Sequence, residues 1–249
     1  MEGYDSVYLS GSLRTVEEGI LWLEEGESGL ITAYTHHNAG AEDPHLIYPT
    51  GMTVWRLDMD EEGLHRLTRE SGLDDLLLYS GTSIRITGNQ GIRFITSIPT
   101  SRRSALMGSG LDGYRLLEYG TLMGWYEPGK ELLYGISAKS VAYDRAAGTD
   151  AVFQSNGDTV QFTGMLTDLE LEQSDRDLMT RPYMVLETDD GAGGTVQLVL
   201  YGGSITRSIG YVAFQNKDIF QPGTDSYEFI WSILEYAYPE LYEQEYQDK

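Results

Sequence analysis

Short runs of alternating apolar and polar residues, each closed by a Gly, Asn or Asp turn, recur along most of this 249-residue chain. Residues 52–57 and 64–68 flank an acidic turn at 58–63, and residues 82–86 and 91–98 flank the polar turn 87–90. Residues 151–153 and 160–162 flank Asn156-Gly157, a pair that favours a type I′ hairpin because both residues tolerate positive φ. Residues 182–187 and 195–201 flank a glycine-rich turn at 189–194. A period of two with such punctuation predicts a mainly β fold of antiparallel, sandwich-like sheets, and not alternating βαβ units.

Helical signals are few. Residues 100–107 follow Pro99 and stop at Gly108, which predicts one short helix. Residues 225–238 predict a longer one. Asp225 and Glu228 have capping-box spacing, and Pro239 ends the run. Tyr227, Phe229, Ile230, Trp231, Ile233, Leu234 and Tyr238 leave it only a narrow polar stripe, so this C-terminal amphipathic helix should pack on the sheets. The acidic tail 240–249 is expected to fray.

Charge narrows the partners. The chain carries 39 Asp and Glu against 17 Lys and Arg, a formal net charge of −22. Its pI is near 4.3, whereas nucleic-acid-binding domains run above about 9, so no nucleic acid is expected. No apolar run reaches the roughly 18–20 residues of a membrane helix, so no membrane insertion is expected. Met1-Glu2-Gly3-Tyr4 shows neither the basic nor the apolar region of a signal peptide. With no Cys, disulfides, CxxC zinc ribbons and thiol nucleophiles are excluded.

The charge is unevenly spread. Residues 1–75 hold sixteen acids and four Arg, whereas residues 76–111 hold Arg85, Arg93, Arg102 and Arg103 and no acid. This shift predicts an acidic N-terminal β unit, 1–75, and a larger β-rich unit, 76–249, that includes the helix at 225–238, or equally the positive face of one domain packing on a negative one.

Motifs with cofactor or metal chemistry dissolve on inspection. Gly108-x-Gly110-x-x-Gly113 has the letters of a dinucleotide fingerprint, but it follows a short helix and leads into a strand. A glycine-rich loop is the better reading. Asp58-x-Asp60-x-Glu62-Gly63 opens like a calcium loop, yet Arg69 stands where its bidentate Glu should be. His36 and His37 are adjacent, and neighbouring strand residues point to opposite faces, so with His45 they make a poor zinc set. No GxSxG elbow or SxxK spacing is present. No cofactor and no metal are expected.

Polar and aromatic residues inside apolar strands are the better candidates. Arg85, Arg93, Glu118 and Tyr119 fall within such runs, and Trp55 and Trp125, with Tyr126 beside it, offer ring faces on which a sugar can stack. Arg85 and Arg93 are expected to pair internally with carboxylates, Glu118 first, through the planar guanidinium fork. Arg102 and Arg103, on the short helix, are expected to be exposed.

Several of these segments also carry a resemblance. Residues 48–52 (Tyr-Pro-Thr-Gly-Met) with Val54-Trp55, and 79–85 (Tyr-Ser-Gly-Thr-Ser-Ile-Arg), begin an ordered series of short blocks. Residues 88–94 (Gly-Asn-Gln-Gly-Ile-Arg-Phe), 118–121 (Glu-Tyr-Gly-Thr) and 207–213 (Arg-Ser-Ile-Gly-Tyr-Val-Ala) continue it. The series resembles a module of no assigned activity in large exported or cell-wall proteins of anaerobic Gram-positive (clostridial) bacteria. It spans roughly residues 45–215. The resemblance implies an extracellular or cell-wall setting and brings no active site with it. The expected function is thus a non-catalytic surface module, structural or ligand-binding, with a glycan or a surface protein as partner. The alternative is a carbohydrate-active enzyme using a carboxylate pair near Trp125.

Overall fold

A computed structural model describes residues 6–9, 12–15, 29–31, 46–48, 55–59, 65–69, 73, 75–189 and 193–247; before residue 73 only the backbone is described. Strands β1 (Ser6–Leu9) and β2 (Ser12–Thr15) form a hairpin. Strands β3 (Gly29–Ile31), β5 (Trp55–Met59) and β6 (His65–Arg69) form a small antiparallel sheet; of the expected acidic turn 58–63, residues 58 and 59 belong to β5 and the rest lies outside the described residues. Strand β4 (Leu46–Tyr48) lies elsewhere, in parallel register with a later strand, and so adds an edge to the largest sheet.

Two antiparallel sheets form the body, as the alternation predicts. The smaller has the order β12-β13-β8-β7, from β7 (Leu78–Arg85), β8 (Gly91–Pro99), β12 (Gln154–Ser155) and β13 (Thr159–Thr167). The larger runs β11-β10-β9-β14-β15-β4. It comprises β9 (Arg115–Trp125), β10 (Ala138–Asp144), β11 (Thr149–Asp150), β14 (Leu178–Asp189) and β15 (Thr195–Tyr201), and β16 (Ile205–Arg207) also pairs with β14.

Alternation sets which face of each strand is buried. On β8, Ile92, Phe94, Thr96 and Ile98 all face inward, and Phe162 of β13 meets Tyr119 of β9 with ring centroids 4.7 Å apart. This inter-sheet core gathers Leu116, Tyr119, Met184, Leu186, Leu198 and Leu200 from the larger sheet. The far face of that sheet is covered as well. Leu132, Leu133 and Tyr134, from the long β9–β10 connection, pack on Met179, Tyr183, Val185, Val199 and Tyr201. Strand β14 is therefore buried on both faces. Its residue without an N–H, Pro182, falls between the stretch paired to β16 (Leu178–Thr180) and the stretch paired to β15 (Tyr183 onward), where a missing donor costs least.

Helix α1 (Thr100–Met107) starts after Pro99 and ends at Gly108, as expected. The glycine run behind it is a turn: Gly110 (φ 97°) donates its N–H to the Ala105 carbonyl, and Gly113 (φ 85°) closes the bend before β9. Helix α2 (Ile209–Asn216), capped by Ser208, has no counterpart in the sequence reading. Helix α3 (Asp225–Ala237) matches the predicted C-terminal helix, but Thr224 caps it through the Tyr227 N–H, so the expected Asp225 capping box gives way to a cap one residue earlier. Residues 240–247 of the tail do not fray as expected. Helix α4 (Pro239–Tyr242) and a π-turn (Glu243–Gln247) bring Tyr246 onto Trp231, with ring centroids 5.3 Å apart. Buried aromatic area outweighs the acidity there, and Lys217 offsets part of it through Glu245 at 2.6 Å. At the Asn156-Gly157 turn only Gly157 has positive φ (92°). Asn156 instead accepts the Asp158 and Thr159 N–H groups through its side chain, so the hairpin forms without the expected type I′ geometry.

Helices α2 and α3 close one end of the sandwich over Ile92, Phe94 and Leu178. Trp231 lies 2% exposed at the centre of that cap. Replacing it with Ala should cost about 3–5 kcal/mol in urea denaturation. On β13, a Cβ at Gly164 would stand 2.5 Å from the Thr121 Cβ of the opposing sheet, so Gly164→Ala should overpack the core and cost about 1–3 kcal/mol in the same assay.

Candidate functional site

The candidate residues do not converge. Trp55 lies in β5, where only the backbone is described, and the histidines at 36, 37 and 45 fall outside the described residues. Arg85 and Arg93 occupy the outer face of the smaller sheet: Arg93 is opposite Ser83, and Arg85 opposite Gly91. Glu118 lies on the far face of the larger sheet and Tyr119 in the core between the sheets. Trp125 ends β9 beside the helical cap, half-buried, with the Arg176 guanidinium 4.1 Å from its ring centroid.

The expected Arg93–Glu118 pair is absent: Arg93 points outward from the smaller sheet, and a bulge turns Glu118 to the far face of the larger one. The β9–β14 register skips Leu117: Val185 opposes Glu118 and Leu186 opposes Leu116. Leu117 and Glu118 then share the far face, where Glu118 takes two bonds from Lys139 (2.7 and 3.0 Å) and one from the Tyr183 hydroxyl. The buried arginine of the basic island is instead Arg103, which was expected to be exposed. It bonds the Tyr119 hydroxyl at 3.0 Å and pairs with Asp150. The sheets pack over α1, so the side of that helix carrying Arg103 and Leu106 is covered.

On the far face these groups continue into a polar network that is buried at Arg181, Tyr183 and Tyr201 and open to solvent at Lys139. The Tyr134 N–H donates to the Tyr201 hydroxyl at 2.8 Å, and Arg181, 4.1 Å from the Tyr201 ring centroid, donates to the Leu132 carbonyl at 3.3 Å. Burial, reinforced by Glu118, raises the Tyr183 hydroxyl far above its ordinary range. Burial alone would lower Lys139, but the hydrogen bonds it donates to Glu118 more than offset this and leave it raised. The network pins the β9–β10 connection to the sheet, and its chemistry is structural.

The open polar cavity lies at the helical end. It has a volume of about 420 Å³ and is lined by Asp175, Asp177, Thr206, Arg207, Ser208, Tyr211 and Tyr238. Each element contributes for a local reason. Strand β16 delivers Thr206 and Arg207, and Ser208 caps α2 by accepting the Tyr211 N–H at 3.0 Å. One turn into α2, Tyr211 stands 42% exposed, with the Arg207 guanidinium 5.3 Å from its ring centroid. The Asp177 carbonyl takes the Tyr126 N–H at 2.9 Å, which ties the 174–177 turn to the end of β9. Two solvent-exposed carboxylates, an arginine and an exposed ring thus face one small space. A second cavity of about 450 Å³ has the apolar walls Leu169, Leu171, Ile209 and Phe229, with Gln90 and Asp168 at its polar side. Among the described residues, no group of three or more His, Asp or Glu is arranged to hold a metal.

Sequence reasoning named none of the residues that line the polar cavity as a candidate and so missed Arg207, Tyr211, Asp175 and Asp177. The available signal was Ser208 ahead of a mixed apolar run, which is the start of a capped helix. No family model matches this chain, and neither any curated protein nor any solved structure matches it.

Two predictions follow from these networks. In the unfolded chain tyrosine ionises near pH 10. Folded Tyr183 keeps its proton above that, as do Tyr119, Tyr134 and Tyr201, each raised mainly by burial. The folded state then binds more protons, so stability present below about pH 10 falls as pH rises beyond it. Urea midpoints measured through the alkaline range should decline, and less steeply for Tyr183→Phe. Arg103→Ala, which strands Asp150 and Tyr119, should cost about 2–3 kcal/mol, well above the cost of Arg93→Ala.

Proposed function

We propose that this chain is a non-catalytic ligand-binding module of an exported or cell-wall protein, and that a polyhydroxylated ligand, a glycan, seats in the polar cavity at the helical end. The observation that carries this reading is the facing of Asp175 and Asp177 with Arg207 and Tyr211 across one open 420 Å³ space. Sugar hydroxyls are both donors and acceptors. Carboxylates accept from them, a guanidinium donates to them, and an exposed tyrosine ring covers the C–H face of a pyranose. A concave site with a few convergent polar groups fits a small ligand. The resemblance to exported clostridial modules supports the extracellular setting. The net charge of −22 favours a neutral or basic glycan over a polyanionic one at long range.

The enzymatic alternative has one observation in its favour, the two carboxylates in the same cavity. Against it, both side chains are exposed on one turn, whereas a glycosidase flanks the scissile bond with two carboxyl groups and keeps its proton donor in a desolvating pocket. Titration calorimetry with neutral β-linked glucose and N-acetylglucosamine oligomers separates these readings. Saturable binding, weakened about tenfold or more in Tyr211→Ala and in Arg207→Ala, is the expected result. Release of new reducing ends that stops in Asp175→Asn or Asp177→Asn would replace the binding module with an enzyme. Full binding by the Tyr211 and Arg207 variants would move the ligand away from this cavity.

A further inference from the structure

The outer face of the smaller sheet carries a positive pair whose charge the described structure does not balance. Strands β7 and β8 set Ser83 against Arg93 and Arg85 against Gly91, which makes Arg85 and Arg93 diagonal neighbours on one face, roughly 7–8 Å apart along the sheet. Arg85 donates to the Thr87 carbonyl at 3.0 Å and to the Met165 sulfur at 3.4 Å. Arg93 stands with its guanidinium carbon 4.7 Å from the Phe153 ring centroid. Both are half-buried. Among the described residues neither has a carboxylate within ion-pair distance, in a chain with 39 acids, while Arg103, Arg181, Lys139 and Lys217 all have one. Burial, and after it the charge of Arg85, holds Arg93 below its ordinary value. Two like charges brought together and partly desolvated are unfavourable unless an anion joins them.

We infer that Arg85 and Arg93 form a second binding site, separate from the polar cavity, for the carboxylate of a ligand with an apolar body. Adjacent guanidinium groups suit a carboxylate because each offers parallel N–H donors matched to its two oxygens. Two further observations select the ligand. Phe153 stands 42% exposed against Arg93, with Ile95 and Met165 half-buried on the same face as the pair, so the charge is set in apolar surface. The chain's own field at −22 opposes dense polyanions at long range and tolerates a single charge. The site therefore takes one carboxylate with a hydrophobic flank, not a phosphate polymer.

The test is NMR titration of the arginine Nε–H signals with benzoate, with benzamide and inorganic phosphate as comparison probes. Benzoate should shift the Arg85 and Arg93 signals saturably, and benzamide should not. Arg93→Gln and Arg85→Gln should each weaken benzoate binding about tenfold or more, with thermal unfolding confirming that both variants fold. The Phe153→Ala variant should weaken benzoate while leaving any response to phosphate unchanged. Benzoate binding that survives in both arginine variants would overturn the assignment. So would a failure of benzoate to shift either signal, and phosphate binding more tightly than benzoate would overturn the choice of ligand. The polar-cavity reading stands or falls separately, since none of these variants touches Tyr211 or Arg207.

Discussion

Strand β14 is covered on both faces, and the positions of the other elements follow from how that burial is achieved. Its even-numbered residues Met184 and Leu186 meet the smaller sheet, and its odd-numbered residues Met179, Tyr183 and Val185 meet the β9–β10 connection. A strand in that situation must satisfy every polar group it carries with protein. Tyr183 does so through Glu118, and Arg181 only in part through the Leu132 carbonyl, its Nε being left without a hydrogen bond, so the connection is held by hydrogen bonds as well as by Leu132 and Leu133. Pro182 marks the point where one neighbour hands over to another, and the chain that leaves β15 there returns as β16 to build the floor of the polar cavity. The cavity is thus a consequence of how a doubly buried strand finds a second partner.

Period-two alternation made the β7–β8, β12–β13 and β14–β15 hairpins legible, because each is closed by a turn with distinctive chemistry. Helix α3 was legible in the same way at a period of 3.6. Helix α2 was not. It spans eight residues, includes Gly210, and is buried along Ile209, Gly210, Val212 and Ala213, which leaves too short a polar stripe to distinguish it from a strand. The docked C-terminal turn was hidden by its own acidity: Glu240, Glu243 and Glu245 obscure the packing of Tyr242 and Tyr246 around Trp231.

Ion pairing was the least legible property, and the reason is geometric. Strict alternation from Leu116 puts Glu118 on the inner face and Tyr119 on the outer. One bulge at Leu117 reverses both, sending the carboxylate to Lys139 and the phenol to Arg103. A shift of one residue exchanges the faces of everything downstream, so a partner assignment that spans a bulge fails even when both strands are correctly read. The basic island of residues 76–111 shows the same limit. Its four arginines look equivalent in composition, yet α1 buries Arg103 against Asp150 while β7 and β8 leave Arg85 and Arg93 on a face with no described carboxylate.

That asymmetry bears on why a chain this acidic keeps so few cations. Where the described lysines and arginines are paired, they serve structural needs. Lys139 neutralises Glu118 beneath the β9–β10 connection, Lys217 holds the C-terminal turn through Glu245, and Arg103 joins α1 to β11. Four of the described arginines without such a partner lie against an aromatic or sulfur surface: Arg93 on Phe153, Arg176 on Trp125, Arg207 on Tyr211, and Arg85 on the Met165 sulfur. A guanidinium stacked on a ring keeps its N–H edge free while its face is desolvated, which leaves donors aimed outward with little remaining freedom. Arg103, Arg181, Lys139 and Lys217 each combine a ring with a carboxylate and hold the fold, whereas Arg85, Arg93 and Arg207 have a ring or a sulfur and, among the described residues, no carboxylate within ion-pair distance. The two candidate sites are built from the second kind.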